Sequence, residues 1–264
     1  MRLAGAPPGA LLGVPLALAV LLKQSPVVFL ALLAVERRWR ALGAAIAVLG
    51  AALAVSLAAM PARAWTDWLD VVRPSLGYGR MPVFLFSPSC QYNQGFNGLV
   101  SRLFLAPHCG PTEAVVPFAG RAVIYGLSLA VVGLSLVAVR RMRSSPAETR
   151  IDRGFALMLP AMFLVSPLAW EHHLVFVLPS LVVGFGLLLR GRRFSVPSAC
   201  LLGACTLAIA LPLPIDNPAL QQEPWFHLVS LRTYAVFALW VFLLLAKRPV
   251  AGDRPGLAEP AGGS

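Results

Sequence analysis

Trp170-Glu171-His172-His173 is the densest group of chemically competent side chains in the sequence. It holds half of the chain's 4 histidines, beside a carboxylate and an aromatic ring. A histidine near a carboxylate suits a general base, or a phosphate partner when protonated. Adjacent helical positions point about 100° apart, so the pair does not clamp one metal from a single turn. Neither HExxH nor CxxC occurs, and no metal, haem or other cofactor is expected. The alternative for the pair is interfacial hydrogen bonding without chemistry.

The cluster joins two apolar runs, Phe155–Val165 and Leu174–Leu189. Each covers roughly 17–24 Å as helix, against a hydrocarbon core of about 30 Å. The cluster is therefore expected at the turn of a short helical hairpin, at or just inside one membrane face. Ionisable groups at that depth are costly and usually functional.

The wider composition agrees. Of 264 residues, 58% are hydrophobic and 12% charged, with mean hydropathy +0.76. This predicts an all-α polytopic integral membrane helical bundle, not a soluble domain. About eight hydrophobic segments are expected: Ala10–Leu22, Val27–Val35, Ala41–Ala59, Ala122–Val139, Phe155–Val165, Leu174–Leu189, Ala199–Leu211 and Leu231–Ala246. The first begins like a signal peptide. Lys23 and Pro26 stand where a small-residue cleavage site belongs, so it reads as retained.

The net charge of +11 comes from arginines gathered between the runs. They read as topology signals rather than as a nucleic-acid surface. Placing Glu36–Arg40, Arg140–Arg153, Arg190–Arg193 and Lys247-Arg248 inside puts 15 of 22 Lys and Arg in the cytoplasm and 6 outside. Both termini are then cytoplasmic and the active face lies outside. Residues 1–248 form the membrane domain, with an outside loop at 61–120. Residues 249–264 are expected as a disordered cytoplasmic tail.

Lys23-Gln24-Ser25-Pro26 separates the first two runs. It is either a kink with Lys23 snorkelling, or a cation held near an anionic headgroup. In the outside loop, Trp65, Trp68, Leu69 and Val72 predict a short interfacial helix. Asp67 and Asp70 lie on its other faces. Farther on, Phe96, Leu99, Val100 and Leu103 make an apolar stripe, with Asn93 as its cap and Asn97 and Arg102 on other faces. That pattern fits either an interfacial helix with a solvated arginine or part of a site. Cys90 and Cys109 share the outside loop and are the expected disulfide, while Cys200 and Cys205 read as packing residues. Residues 212–230, with Asp216, Asn217, Gln221, Gln222, Glu223, Trp225 and His227, read as a polar loop.

Three of these stretches together resemble a known family. They are the Lys-x-x-Pro break at Lys23–Pro26 followed by Arg37-Arg38-Trp39, the block Asn93, Gln94, Asn97, Gly98 and Arg102, and Ser166-Pro167 with Trp170, Glu171, His172 and His173. In order and spacing, residues 10–190 are similar to the C-terminal part of glycosyltransferase family 87. Its members are polyprenol-phosphate-mannose-dependent mannosyltransferases of the bacterial envelope, in the GT-C class of membrane enzymes. Gly95 stands where the family usually carries serine.

The resemblance implies sugar transfer on the outer face, from a polyprenyl phosphate to a lipid-linked or glycan acceptor. It makes His172, His173 and Glu171 the candidate catalytic residues. Arg102 and Lys23 become phosphate contacts, and Asn93, Gln94, Asn97 and Trp170 sugar or substrate contacts. Membrane lipids are further partners. Family members extend farther at the N-terminus and carry an acidic first outside loop. The chain is therefore expected to be a truncated form that works with a missing N-terminal half or a partner subunit. The competing class is a non-catalytic lipid or glycolipid carrier.

Overall fold

The computed structural model describes residues 12–73, 77–80, 87–107, 109–110, 114–190, 195–214, 217 and 226–246. Among them every regular element is helical. The tail at 249–264 lies outside the described residues, as do Arg192, Arg193, Lys247, Arg248, Asp216 and Trp225.

Helix α1 (Gly13–Leu22) ends at Lys23, whose backbone is extended. The chain re-enters through a 3-10 turn at Ser25–Val27, seeded by Pro26, and continues as α2 (Val28–Val35). Helix α3 (Trp39–Ala59) runs back against α1. A Cβ on Gly13 would come 1.9 Å from the Ala41 carbonyl, so the two backbones meet through glycine and buried Ala17, Ala41 and Ala45. Helix α4 (Ala62–Val72) buries no residue and exposes Trp68, Leu69 and Val71, as an interfacial helix would. Helix α5 (Phe96–Phe104) is short.

Helices α6 (Phe118–Arg141) and α7 (Ala147–Val165) each begin after a proline, whose fixed φ suits a helix start. The last half of α7 is buried all round, through Met158, Leu159, Ala161, Met162, Phe163 and Leu164. It is the centre of the bundle. Phe29 of α2 packs on its Met158 and Met162 side. On its other sides lie α6, α8 (Leu178–Arg190) and α11 (Leu231–Leu245). Helix α9 (Val196–Ala210) backs α8 and α11, and one turn, α10 (Phe226–Val229), leads into α11.

The expectation of a short second hairpin is corrected here. Its first arm, α7, has 19 residues because the polar stretch before Phe155 is also helical. Its second arm starts at Glu171, where a 3-10 turn over Glu171–Val177 feeds straight into α8. The resulting Glu171–Leu189 stretch is long and apolar enough to cross a membrane, as are α3 and α6. Helices α1, α9 and α11 and the stretch Ser25–Val35 are apolar but shorter.

The bundle has two chemically different ends. At one, Arg150 pairs with Glu36 at 2.6 Å, Arg143 donates to the Val35 carbonyl and Arg153 to the Ala246 carbonyl. At the other end the chain gathers Lys23, Tyr78, the turn after α7 and the start of α11. The Cys90–Cys109 disulfide, with its Cα atoms 4.5 Å apart, closes the loop around α5 at this end. Replacing both cysteines with serine is expected to lower stability by about 3 kcal/mol. An unchanged unfolding midpoint in detergent, relative to the oxidised protein, would contradict this.

Candidate functional site

Ser166 ends α7, and Pro167 prevents the helix from continuing through it. The turn that follows is held by the Asn93–Arg102 block. The Asn93 amide donates to the Pro167 carbonyl at 3.1 Å and accepts from the Ala169 N–H at 3.1 Å. Asn97 donates to the same Pro167 carbonyl at 2.8 Å and accepts from the Gly79 N–H at 2.7 Å. The Gln94 N–H donates to the Ala169 carbonyl, and its side chain donates to the Gln91 and Val229 carbonyls. Thr233 at the start of α11 donates to the Gln94 carbonyl.

Arg102 organises the block from inside. Its guanidinium donates to the Cys90 and Asn93 carbonyls at 3.0 and 2.9 Å, and twice to the Ser230 hydroxyl. Burial pushes it down to about 10, which leaves it a cation at neutral pH. So α5 buries its polar face together with Phe96 and Val100 of the apolar stripe. Asn97 is 0% and Arg102 5% exposed, while Leu103 of the expected stripe is 54% exposed. Asn97 and Arg102 can be buried because hydrogen-bond partners receive them. Asn93 is not the cap either; Gly95 holds that position.

Packed beside this block is a cavity of about 850 Å³, between the α1–α2 break and the turn after α7. Its polar wall is Lys23, Ser25, Tyr78, Ser166, His172 and His173, with Trp170 alongside. Its apolar wall includes Leu21, Leu22, Val27, Val28, Met162 and Val165. Asn93, Gln94, Asn97 and Arg102 do not line it. The block meets the turn that carries the histidines directly, through hydrogen bonds to Pro167 and Ala169.

Inside the cavity, the Trp170 N–H donates to His173 Nδ1 at 2.9 Å, and the His173 N–H donates to the Trp170 carbonyl. This fixes the ring and turns Nε2 toward Lys23 Nζ, which it contacts. Lys23 also stands 5.9 Å from the Phe176 ring. His172 lies between Trp170 and His173, with ring centroids 5.9 and 4.1 Å away. Ser166 donates to the Leu168 carbonyl, and Ser25 is 3.2 Å from the Ser166 hydroxyl. Tyr78 donates to the Val165 carbonyl at 2.5 Å, and burial raises its phenol above the ordinary value, so it stays a donor.

Glu171 faces elsewhere. Its carboxylate pairs with Arg232 of α11, which also donates to the Leu211 carbonyl at 2.8 Å. Ser25, Tyr78 and Arg232 were not singled out from sequence. For Arg232 a signal existed: an arginine opening an apolar run needs a carboxylate, and Glu171 opens another such run.

Comparison with known proteins adds the relationship. Residues 2–167 match the pattern of Glycosyltransferase family 87. A polyprenol-phosphate-mannose-dependent alpha-(1-2)-phosphatidylinositol mannoside mannosyltransferase of Mycolicibacterium smegmatis is 30% identical over 270 residues, covering 96% of this chain and 55% of that protein. The protein of the same name from Mycobacterium tuberculosis is 26% identical, covering 88% of this chain and 50% of its own length. The chain thus spans about half the length of the curated relatives it matches. No solved structure matches it. With the family pattern covering residues 2–167 and the 30% identity covering nearly the whole sequence, the chain belongs to glycosyltransferase family 87.

Proposed function

We propose that the chain is part of a membrane glycosyltransferase that moves a hexose, mannose, from a polyprenyl phosphate to an envelope glycolipid or glycan. The single observation that carries this is the Lys23–His173 contact on the polar wall of a cavity whose other wall is apolar. His173 Nδ1 accepts a backbone proton, so the neutral ring carries its own proton on Nε2. An ammonium is also a donor only. Two donors in contact lack an acceptor, and a phosphate oxygen that reaches both supplies one. The apolar wall suits the first isoprene units of the donor.

In the reaction, the bond from the sugar's anomeric carbon to the phosphate oxygen breaks as the acceptor oxygen bonds to that carbon. Lys23 and His173 take the charge developing on the departing phosphate. His172, on the same wall, receives the acceptor's proton. Glu171 and Arg232 set the turn from behind, and Trp170 presents a ring beside the cavity. The Asn93–Arg102 block holds the turn's backbone. The relatives' names support the donor and a glycolipid acceptor. Family membership favours this reading over a non-catalytic carrier.

We further propose a GT-C-like arrangement of about eight membrane segments, with the arginine-rich end in the cytoplasm. A cysteine placed at Asp70 is then expected to react with an impermeant thiol reagent added outside, and one placed at Ser145 is not. The reverse pattern would invert the orientation. The test of function is photolabelling. A photoreactive polyprenyl-phosphate mannose is expected to label residues 21–28 or 162–173, and unlabelled donor to chase the label. Labelling elsewhere, or labelling that excess donor leaves intact, would remove the reading.

A further inference from the structure

A second cavity, of about 350 Å³, lies at the arginine-rich end between α6, α7 and α11. Leu134, Val137, Leu157 and Leu243 form its walls, and Arg141 and Arg153 are the charged residues that line it. We propose that this cavity binds the headgroup of an anionic phospholipid.

Three features select that ligand. The inner wall is apolar and buried, with Leu157 2% and Leu243 6% exposed. The outer flank is apolar and open, with Leu134 48% and Val137 44% exposed. A ligand seated here therefore touches the bilayer along one side, which fits acyl chains rather than a soluble solute. The third feature is charge. Arg141 closes α6, and Arg153 is fixed in α7 by its 2.6 Å bond to the Ala246 carbonyl. A guanidinium meets a phosphodiester with paired donors, and basic pockets between membrane helices take anionic headgroups. The volume is at the lower end of small-molecule sites, room for a phosphoglycerol head with its chains outside. This site is at the other end of the bundle from Lys23 and His173, and does not depend on the sugar-transfer reading.

The experiment is native mass spectrometry of the purified chain in detergent, titrated with phosphatidylglycerol and phosphatidylcholine in parallel. Phosphatidylglycerol is expected to be retained with about ten-fold preference or more. Arg141→Gln with Arg153→Gln is expected to abolish the preference. Val137→Trp fills the cavity without changing charge and is expected to reduce phosphatidylglycerol retention, which keeps the test decisive if the arginine variant does not fold. Equal retention of both lipids, or full retention in Val137→Trp, would overturn the proposal. So would displacement of the lipid by excess inorganic phosphate, which would make the site one for a soluble anion.

Discussion

Replacing His173 with alanine is expected to lower mannose transfer by about 10²–10³-fold, with folded protein recovered as before. The ring's surroundings argue for this. Its backbone N–H is tied to the Trp170 carbonyl and its Nδ1 to the Trp170 N–H, so Nε2 is held toward Lys23. An alanine removes the one ring nitrogen aimed at the phosphate position while the 3-10 turn retains its backbone bond. Lys23→Ala is expected to cost about 1.5–3 kcal/mol of donor affinity, roughly 10–150-fold, as one charge-assisted bond to phosphate is lost. If the two groups share one phosphate, the double variant loses less than the product of the singles. Donor titrations, giving KM and kcat separately, read the difference. Full activity in His173→Ala would defeat the phosphate assignment. Strictly multiplicative effects would separate the two residues into different contacts.

How far this site could be read from sequence differs from residue to residue. The helices were legible because their signal is a long run of apolar side chains, which composition alone marks. The break was legible to within two residues: Pro26 argues against helix at Ser25, whereas the extended residue is Lys23 and Ser25 sits in the 3-10 turn. The Cys90–Cys109 pairing followed from a shared loop. Element lengths were less legible. The Glu171–His173 cluster looks like a turn between short helices because charge interrupts hydropathy, yet a 3-10 turn carries it into α8. Its charges are accommodated there by partners from distant segments, Lys23 and Arg232, 150 and 61 residues away in sequence. Pattern within one helix does not report such contacts. The inward polar face of α5 is the sharpest case. Periodicity puts Phe96, Leu99, Val100 and Leu103 on one face and leaves Arg102 either solvated or part of a site. Hydrogen bonding instead buries Asn97 and Arg102 alongside Phe96 and Val100 of that stripe.

That burial sets the last expected result: Arg102→Ala removes folded protein rather than donor affinity. Arg102 donates to two backbone carbonyls and to Ser230, joining the disulfide loop, the Asn93 turn and the start of α11. Without it, the Cys90 and Asn93 carbonyls lose a charged donor in a place water does not reach. Leaving each such buried acceptor without its donor costs about 1–3 kcal/mol, against a total stability of about 5–15 kcal/mol. Gly98→Ala should fail at the same point for a different reason. Its Cβ would lie 1.8 Å from the Asn93 carbonyl oxygen and 3.0 Å from Arg102 Nη1, so the acceptor itself must move. Because Asn93 also holds Pro167 and Ala169, that displacement reaches the turn carrying His172 and His173. Size-exclusion profiles and unfolding midpoints in detergent are expected to show most of either variant aggregated or strongly destabilised. The folded remainder of Arg102→Ala should bind donor with near wild-type affinity. An Arg102→Ala protein of normal midpoint that loses donor binding would place this guanidinium on the phosphate and reassign the block to the substrate.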